Sequence, residues 1–280
     1  MDEGEKTGRM RNLEHVFEQV SRWVGEVGAI QLEYLGKKDL EIENKSSSFD
    51  LVTEVDKLSE QRLIAKVREA YPEDAILSEE SGSDGNQAEY RWVIDPVDGT
   101  TNYAHGFPLF AISMALQHQG SEVLGIIYVP FLNELYHAEK GRGAFRNGSR
   151  FHVSNARELG KALLATGFPY DKATDPNNNL NYFNHLVPQI IGIRRTGSAA
   201  FDLCNVAAGR IDGYWEFKVK PWDVAAGALI VEEAGGRVEY LPDHPAIAII
   251  AGNDHLVKLI RAELAKVDAQ DWEPIGGMQK

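Results

Sequence analysis

A single cysteine, Cys204, in a chain of 280 residues leaves no internal disulfide framework and no cysteine-rich zinc cage. Positive charge is also scarce: 29 Lys and Arg face 42 Asp and Glu, a formal net charge of −13. Phosphate backbones and anionic lipids demand a basic face, so direct nucleic-acid binding and membrane docking are excluded as primary roles. Long apolar runs are missing too; the most apolar stretches, 123–132 and 246–251, fall well short of the roughly 20 residues that cross a bilayer. The first twenty residues are charged throughout and lack the apolar centre of a secretory signal, so a reducing cytoplasm is the expected compartment. The 8 histidines show no ligand spacing, which argues against zinc. What remains is a globular composition, 43% hydrophobic with 26 glycines, long enough for one large domain or two ordinary ones.

Hydrophobic periodicity divides the chain into two halves. Leu13, Val16, Phe17, Val20, Val24 and Val27 recur at helical spacing. Residues 37–49 are polar and Ser-rich and read as a loop. A second helix is expected from Asp56, as N-cap, through Leu63, Ile64, Val67 and Ala70 to Pro72. Ile76-Leu77 and Trp92-Val93-Ile94 read as short strands, and 110–116, 123–129, 134–138 and 144–151 as an antiparallel meander with Asn147-Gly148 as a hairpin signal. Beyond it, strands at 163–166, 211–217 and 247–251 alternate with helices at 180–191, 198–208, 222–234 and 255–267. The expectation is an α+β half over 1–152 followed by an α/β half over 153–280.

The sharpest local feature is Asp95-Pro96-Val97-Asp98-Gly99-Thr100-Thr101, directly after the strand Trp92-Val93-Ile94. Two carboxylates leave a buried strand where a helix is about to start. Strand ends are where α/β proteins place ligands, and helix-start amides favour phosphate. Two acids so close repel unless a cation lies between them, and an all-oxygen set suits a hard ion such as Mg²⁺. The bland alternative, an Asp-rich turn with Asp98 capping a helix, leaves Asp95 unexplained. Glu79 and Glu80 after Ile76-Leu77, and Asp223 after Pro221-Trp222, repeat the pattern, although each could be an exposed acid or a first-turn helix acid. Cys204, Trp215 and Trp222 read as core packing, His105 and His118 as structural or exposed, and the Arg194-Arg195 pair as a phosphate-steering or surface element.

These blocks resemble the inositol monophosphatase family of Mg²⁺-dependent, lithium-sensitive sugar-alcohol phosphatases. The resemblance rests on Trp92 to Tyr103, on Trp222-Asp223-Val224-Ala225-Ala226-Gly227 running to Glu233-Ala234-Gly235-Gly236, on Asp50-Leu51-Val52-Thr53 with Asp56, and on Ser78-Glu79-Glu80-Ser81. It implies a layered αβαβα sandwich and hydrolysis of inositol monophosphate by metal-activated water. By the same resemblance, Glu79, Asp95, the Val97 carbonyl, Asp98 and Asp223 ligate Mg²⁺. Asp56 and Thr100, with Glu79, serve the attacking water. Gly99 and Thr100 contact phosphate, and Gly197, Ser198 and Glu216 contact ring hydroxyls. Asn102 and Asp212 fall at supporting positions, and Lys45 on a loop that reaches towards the metals. The resemblance also implies a homodimer acting on a small phosphate ester. Alternatives within it are fructose bisphosphate, histidinol phosphate and phosphoadenosine nucleotides; outside it, a non-catalytic protein-interaction role. A haloacid-dehalogenase-type phosphatase fits less well, since its second Asp lies two positions on, whereas Asp98 follows Asp95 by three.

Overall fold

The computed structural model describes residues 11–37, 42–44, 51–242, 244 and 246–269. Lys45 and Asp50, and most of the stretch read as a polar loop, lie outside these. The chain begins with α1 (Leu13–Tyr34), capped by the Asn12 side chain. Two short strands, β1 (Ile42–Asn44) and β2 (Leu51–Thr53), pair antiparallel. Next come α2 (Glu54–Ala70), β3 (Ala75–Ser78), β4 (Gly82–Ser83), β5 (Tyr90–Asp98) and the one-turn α3 (Thr100–Ala104). The meander follows as β6 (Ala111–His118), β7 (Ser121–Val129), β8 (Glu134–Glu139), β9 (Gly143–Arg146) and β10 (Ser149–Arg150). The remainder is β11 (Leu163–Thr166), α4 (Leu180–Leu186), β12 (Gly192–Arg194), α5 (Ala199–Ala207), β13 (Gly213–Val219), α6 (Pro221–Glu233), β14 (Arg237–Tyr240), β15 (Ile247–Gly252) and α7 (Asp254–Asp268).

Strands β3 to β10 form an 8-stranded sheet in the order β10-β9-β8-β7-β6-β5-β3-β4, with only β3 and β5 parallel. A 5-stranded sheet runs β12-β11-β13-β15-β14, with β11 parallel to both β12 and β13. Helices α1 and α2 lay their apolar stripes on the outer face of the first sheet: Val16, Val20 and Val24 pack with Leu63, Val67, Trp92 and Ile112. Burying each such valine stabilises the fold by about 1.5–3 kcal/mol relative to leaving it exposed. Helices α5 and α6 are apolar nearly all round because they fill the space between the two sheets, with Leu203, Val206 and Ile230 reaching Ile127, Tyr136, Tyr214 and Ile249. Helices α4 and α7 cover the far face through Leu186, Leu256, Ile260 and Leu264 against Trp215 and Ile250. The layers are therefore αβαβα.

Several boundaries differ from the sequence reading. Helix α2 is capped by Thr53 rather than Asp56: Thr53 Oγ1 accepts from the Val55 and Asp56 amides, and Asp56 answers by accepting from the Thr53 amide at 3.0 Å. The expected helix over 180–191 stops at Leu186, passes through a tight turn over Val187–Gln189, and gives way to β12; Pro188 has no N–H to continue it. Part of the expected 37–49 loop is a strand, β1, and β14 is a strand that the sequence reading did not assign. Among the described residues no helix is long and apolar enough to cross a membrane.

Candidate functional site

The parallel pair β3 and β5 sets the site. Ser78 pairs with Ile94, and the Glu79 amide donates to the Ile94 carbonyl at 3.2 Å, so the two strands end side by side. The pairing of β5 with β6 slips between Asp95 and Asp98: Asp95 faces Ser113 and Asp98 faces Ala111, three steps against two. In a regular strand, residues an odd number apart point to opposite faces; the extra residue removes that alternation, and both acids line one cleft. Pro96 sits in the slip, where its missing N–H costs no ladder bond. The chain then turns at Gly99, whose φ is +107°, where a Cβ would lie 3.2 Å from the Leu109 carbonyl oxygen and 3.3 Å from that of Gly197. Only glycine fits there without strain.

The interlayer helices supply the other wall. Their N-termini point into the same cleft, of about 740 Å³. Asp98 reaches the start of α5, accepting from Ser198 Oγ and the Ala200 amide, both at 2.6 Å. Asp223, in the first turn of α6, accepts from the Lys220 amide at 2.7 Å. Asp95 accepts from the Val97 amide at 3.0 Å. Each of these carboxylates is thus aimed by a backbone N–H that occupies part of its accepting capacity.

Their charges conflict. Burial pushes the Asp95 carboxyl well above the usual range, and the neighbouring charges of Glu79, Asp98 and Asp223 push it further. Burial likewise raises Asp98, to about 6, despite the Ser198 and Ala200 hydrogen bonds that lower it. Asp223 is raised by burial and then by Asp98. Among the described residues no group of three acidic, histidine or cysteine side chains is already placed to hold a metal ion. A hard divalent ion that keeps several waters does not need such a group. The oxygen-only donor set, with acids whose mutual repulsion a cation would relieve, fits Mg²⁺.

Beside this group, Thr100 Oγ1 donates to Asp56 Oδ1 at 2.8 Å, and stands 3.1 Å from the Val97 carbonyl oxygen. Asp56 is wholly buried. Its pKa is raised by that burial, against the lowering hydrogen bonds from Thr53 and Thr100. Across the cleft, Glu216 accepts from Tyr214 Oη at 2.5 Å, and burial carries its carboxyl up to about 7. Gly197 and Ser198 line the same wall, and Asn102 braces their loop by donating to the Thr196 and Leu109 carbonyls at 2.8 and 2.7 Å. Asp212 lies away from the cleft and holds the Leu163 amide at 2.8 Å.

Residues 12–268 match the inositol monophosphatase family. The chain belongs to that family. Nus factor SuhB from Pseudomonas aeruginosa is 46% identical over 226 residues, which cover 78% of this chain and 83% of that protein. Inositol monophosphatase from Anabaena (Nostoc) sp. PCC 7120 superposes with a TM-score of 0.82 at 41% identity, over 91% of this chain and 97% of the other. The extragenic suppressor protein suhB from Bartonella henselae does so with a TM-score of 0.84 at 38% identity, over 90% and 99%.

Within this inositol monophosphatase fold, several supports of the site had no signature of their own in the sequence. Glu60, buried on α2, accepts from Ser78 Oγ and from the Glu80 amide at 2.9 Å, bracketing Glu79. Gln31, fully buried on α1, donates to the Pro96 carbonyl at 2.8 Å and accepts the Tyr103 hydroxyl on its own carbonyl at 2.7 Å. A polar residue on the apolar stripe of a helix was the available clue for Gln31. Gly167 has a different reason: a Cβ there would lie 2.1 Å from Glu216 Oε1. Other readings take their places. Trp222 is partly buried, packing against the interlayer core as expected and also lining the cleft. His118 pairs with Glu89 at 2.8 Å, next to Tyr90 at the far end of β5 from Asp98. Of the arginine pair, Arg195 lines the cleft while Arg194 is exposed beside its own strand.

Proposed function

We propose that the chain is a Mg²⁺-dependent phosphomonoesterase that converts inositol monophosphate to myo-inositol and phosphate by direct attack of water. The observation that carries this reading is the 2.8 Å contact from Thr100 to Asp56 at the edge of a cleft lined by Glu79, Asp95, Asp98 and Asp223. Those four carboxylates and the Val97 carbonyl would hold Mg²⁺, which when bound supplies Lewis acidity for a water nucleophile and neutralises phosphate charge. The half up to residue 152 contributes all of these groups except Asp223, and the half from 153 completes the site.

Thr100 donates its own proton to Asp56, so its lone pairs face outward to receive a proton from the attacking water. The raised proton affinity of buried Asp56 suits it to end that relay. Gly99 and Thr100 place helix-start amides where phosphate oxygens would lie, an arrangement that favours the charge spread of the transition state. Glu216, with a pKa of about 7, can accept from or donate to a substrate hydroxyl at neutral pH. No residue needs to form a covalent intermediate.

The test is phosphate release from inositol 1-phosphate, fructose 1,6-bisphosphate, histidinol phosphate and a phosphoadenosine nucleotide, with and without Mg²⁺. Turnover of inositol 1-phosphate that requires Mg²⁺ and is blocked by Li⁺ supports the reading. Release that persists in chelator, or a trapped aspartyl-phosphate, overturns it. A second reading, a protein-binding role, is favoured by the relative named as a Nus factor. A protein partner retained equally by wild type and Asp95→Asn would establish that role as separate from catalysis.

A further inference from the structure

The segment between β11 and α4 forms one wall of the cleft, with Gly167, Phe168, Tyr170 and Asp171 lining it. Its base is fixed by Asn179, which is 1% exposed. Asn179 Nδ2 donates to Thr166 Oγ1 at 2.8 Å and to the Gly167 carbonyl at 2.5 Å, and its Oδ1 accepts from Trp215 Nε1 at 2.8 Å. Its outer end is held by Lys218, whose Nζ lies 2.8 Å from Asp171 Oδ2 and 2.6 Å from Asp175 Oδ2. Residues 171–175 are one tight turn, with the Thr174 and Asp175 amides both donating to the Asp171 carbonyl at 2.9 and 3.0 Å. Two like charges therefore converge on one amine.

Lys218 stands in an unusual place. In the β13–β15 ladder Phe217 pairs with Ala248 and Val219 with Ile247, so Lys218 is the extra residue of a bulge. Its φ is +61°, the left-handed region in which glycine or asparagine rests with less strain than lysine. Backbone geometry alone would select one of those. What lysine adds at this position is the reach to Asp171 and Asp175.

We propose that Lys218 is a specificity-determining latch: it pins the 171–175 turn to the bulge of β13 and so sets the wall against which the non-phosphate part of a polyol phosphate packs. Its kinetic consequence rests on the phosphatase reading above; its structural consequence does not. Glu216 lies two residues earlier on the same strand and faces Gly167 at the base of the segment, so latch and hydroxyl-binding group share one frame. The acidic end of the cleft is built on β3, β5, α5 and α6, none of which carries a latch residue. Loosening the segment should weaken recognition of the polyol and spare a minimal ester. Asp171 and Asp175 are 47% and 41% exposed, so the latch weakens with salt.

Two variants separate the latch from backbone strain. Lys218→Gly removes the amine and relieves the left-handed strain; Asp171→Asn with Asp175→Asn removes the anions and leaves the backbone alone. Both should raise KM for inositol 1-phosphate about 5-fold, the size of one modest ion pair, and shift kcat by less than about twofold. KM for p-nitrophenyl phosphate should stay within about twofold. Amide hydrogen exchange over 169–176 should quicken in both, and Lys218→Arg should restore the wild-type values. Unchanged KM and exchange, an equal rise in KM for both esters, or an effect in Lys218→Gly alone would overturn the proposal. If the wild type hydrolyses no phosphate ester, the phosphatase reading fails and the exchange measurement still decides the latch.

Discussion

In the metal-free protein the acid cluster should make stability fall with pH over a range where carboxylates are usually harmless. Asp98 has a folded pKa of about 6 against an ordinary value of 3.8. That difference of about 2 units corresponds to ~3 kcal/mol of disfavoured charge at neutral pH, a little under half of it appearing between pH 5 and 7. The sign follows from proton binding: between the two pKa values the folded state holds the proton more tightly than the unfolded one, so raising the pH costs stability. Asp95 and Asp223 act in the same direction. His137 opposes them, because burial lowers its pKa from 6.5 to about 4 and folding then gains as the unfolded state loses its proton. His137 is stacked between Phe17 and Phe145, away from the cleft, so a bound cation leaves its contribution untouched. The informative quantity is therefore the difference in melting temperature made by Mg²⁺, measured by calorimetry at pH 5 and pH 7 in matched salt. At ~2–4 °C per kcal/mol, Asp98 alone makes that difference about 3–5 °C larger at pH 7. An equal Mg²⁺ shift at both values, or a larger one at pH 5, would refute the view that these buried acids share a cation.

Three substitutions probe the parts separately. Thr100→Val keeps the side-chain shape and removes the proton relay, so kcat should fall by ~10²–10⁴-fold. Calorimetry should show it losing only about 1–3 kcal/mol of stability, from one unsatisfied buried acceptor. Gly99→Ala must place a Cβ 3.2 Å from a backbone oxygen at φ +107°, and should cost ~1–3 kcal/mol of stability by chemical denaturation together with most of the activity. Gly167→Ala forces the Glu216 carboxyl aside, since the two would meet at 2.1 Å; KM for inositol 1-phosphate should rise while phosphate release from p-nitrophenyl phosphate persists.

The legible parts of this chain are those in which one residue type has one physical use. The apolar stripe of α1 and the Asn147-Gly148 turn between β9 and β10 both follow from local chemistry. Asp95 stood out locally as an acid straight after an apolar strand, whereas Asp98 and Asp223, which could equally be a helix cap and a first-turn acid, joined it as a set through the family resemblance, and the fold brings all three to one cleft. Less legible are residues whose role is decided by what the fold brings beside them. Lys218 looks like an ordinary surface lysine until the bulge and the 171–175 turn meet. Gln31 and Glu60 act through carbonyl and amide groups on distant segments, which no spacing reveals. The end of α4 was misjudged because apolar residues continue past Leu186 while Pro188 interrupts the hydrogen bonding. Short β1 and β14 carry too few apolar residues to show a period.

The central claim is that Asp95 joins Glu79, Asp98 and Asp223 around Mg²⁺ to hydrolyse a phosphate ester. Its most direct test is the Mg²⁺ dependence of phosphate release from inositol 1-phosphate in wild type and Asp95→Asn, with circular dichroism confirming that both are folded. The expected result is Mg²⁺-activated turnover in the wild type and none above background in Asp95→Asn at any Mg²⁺ concentration. Near-normal turnover by folded Asp95→Asn would contradict it.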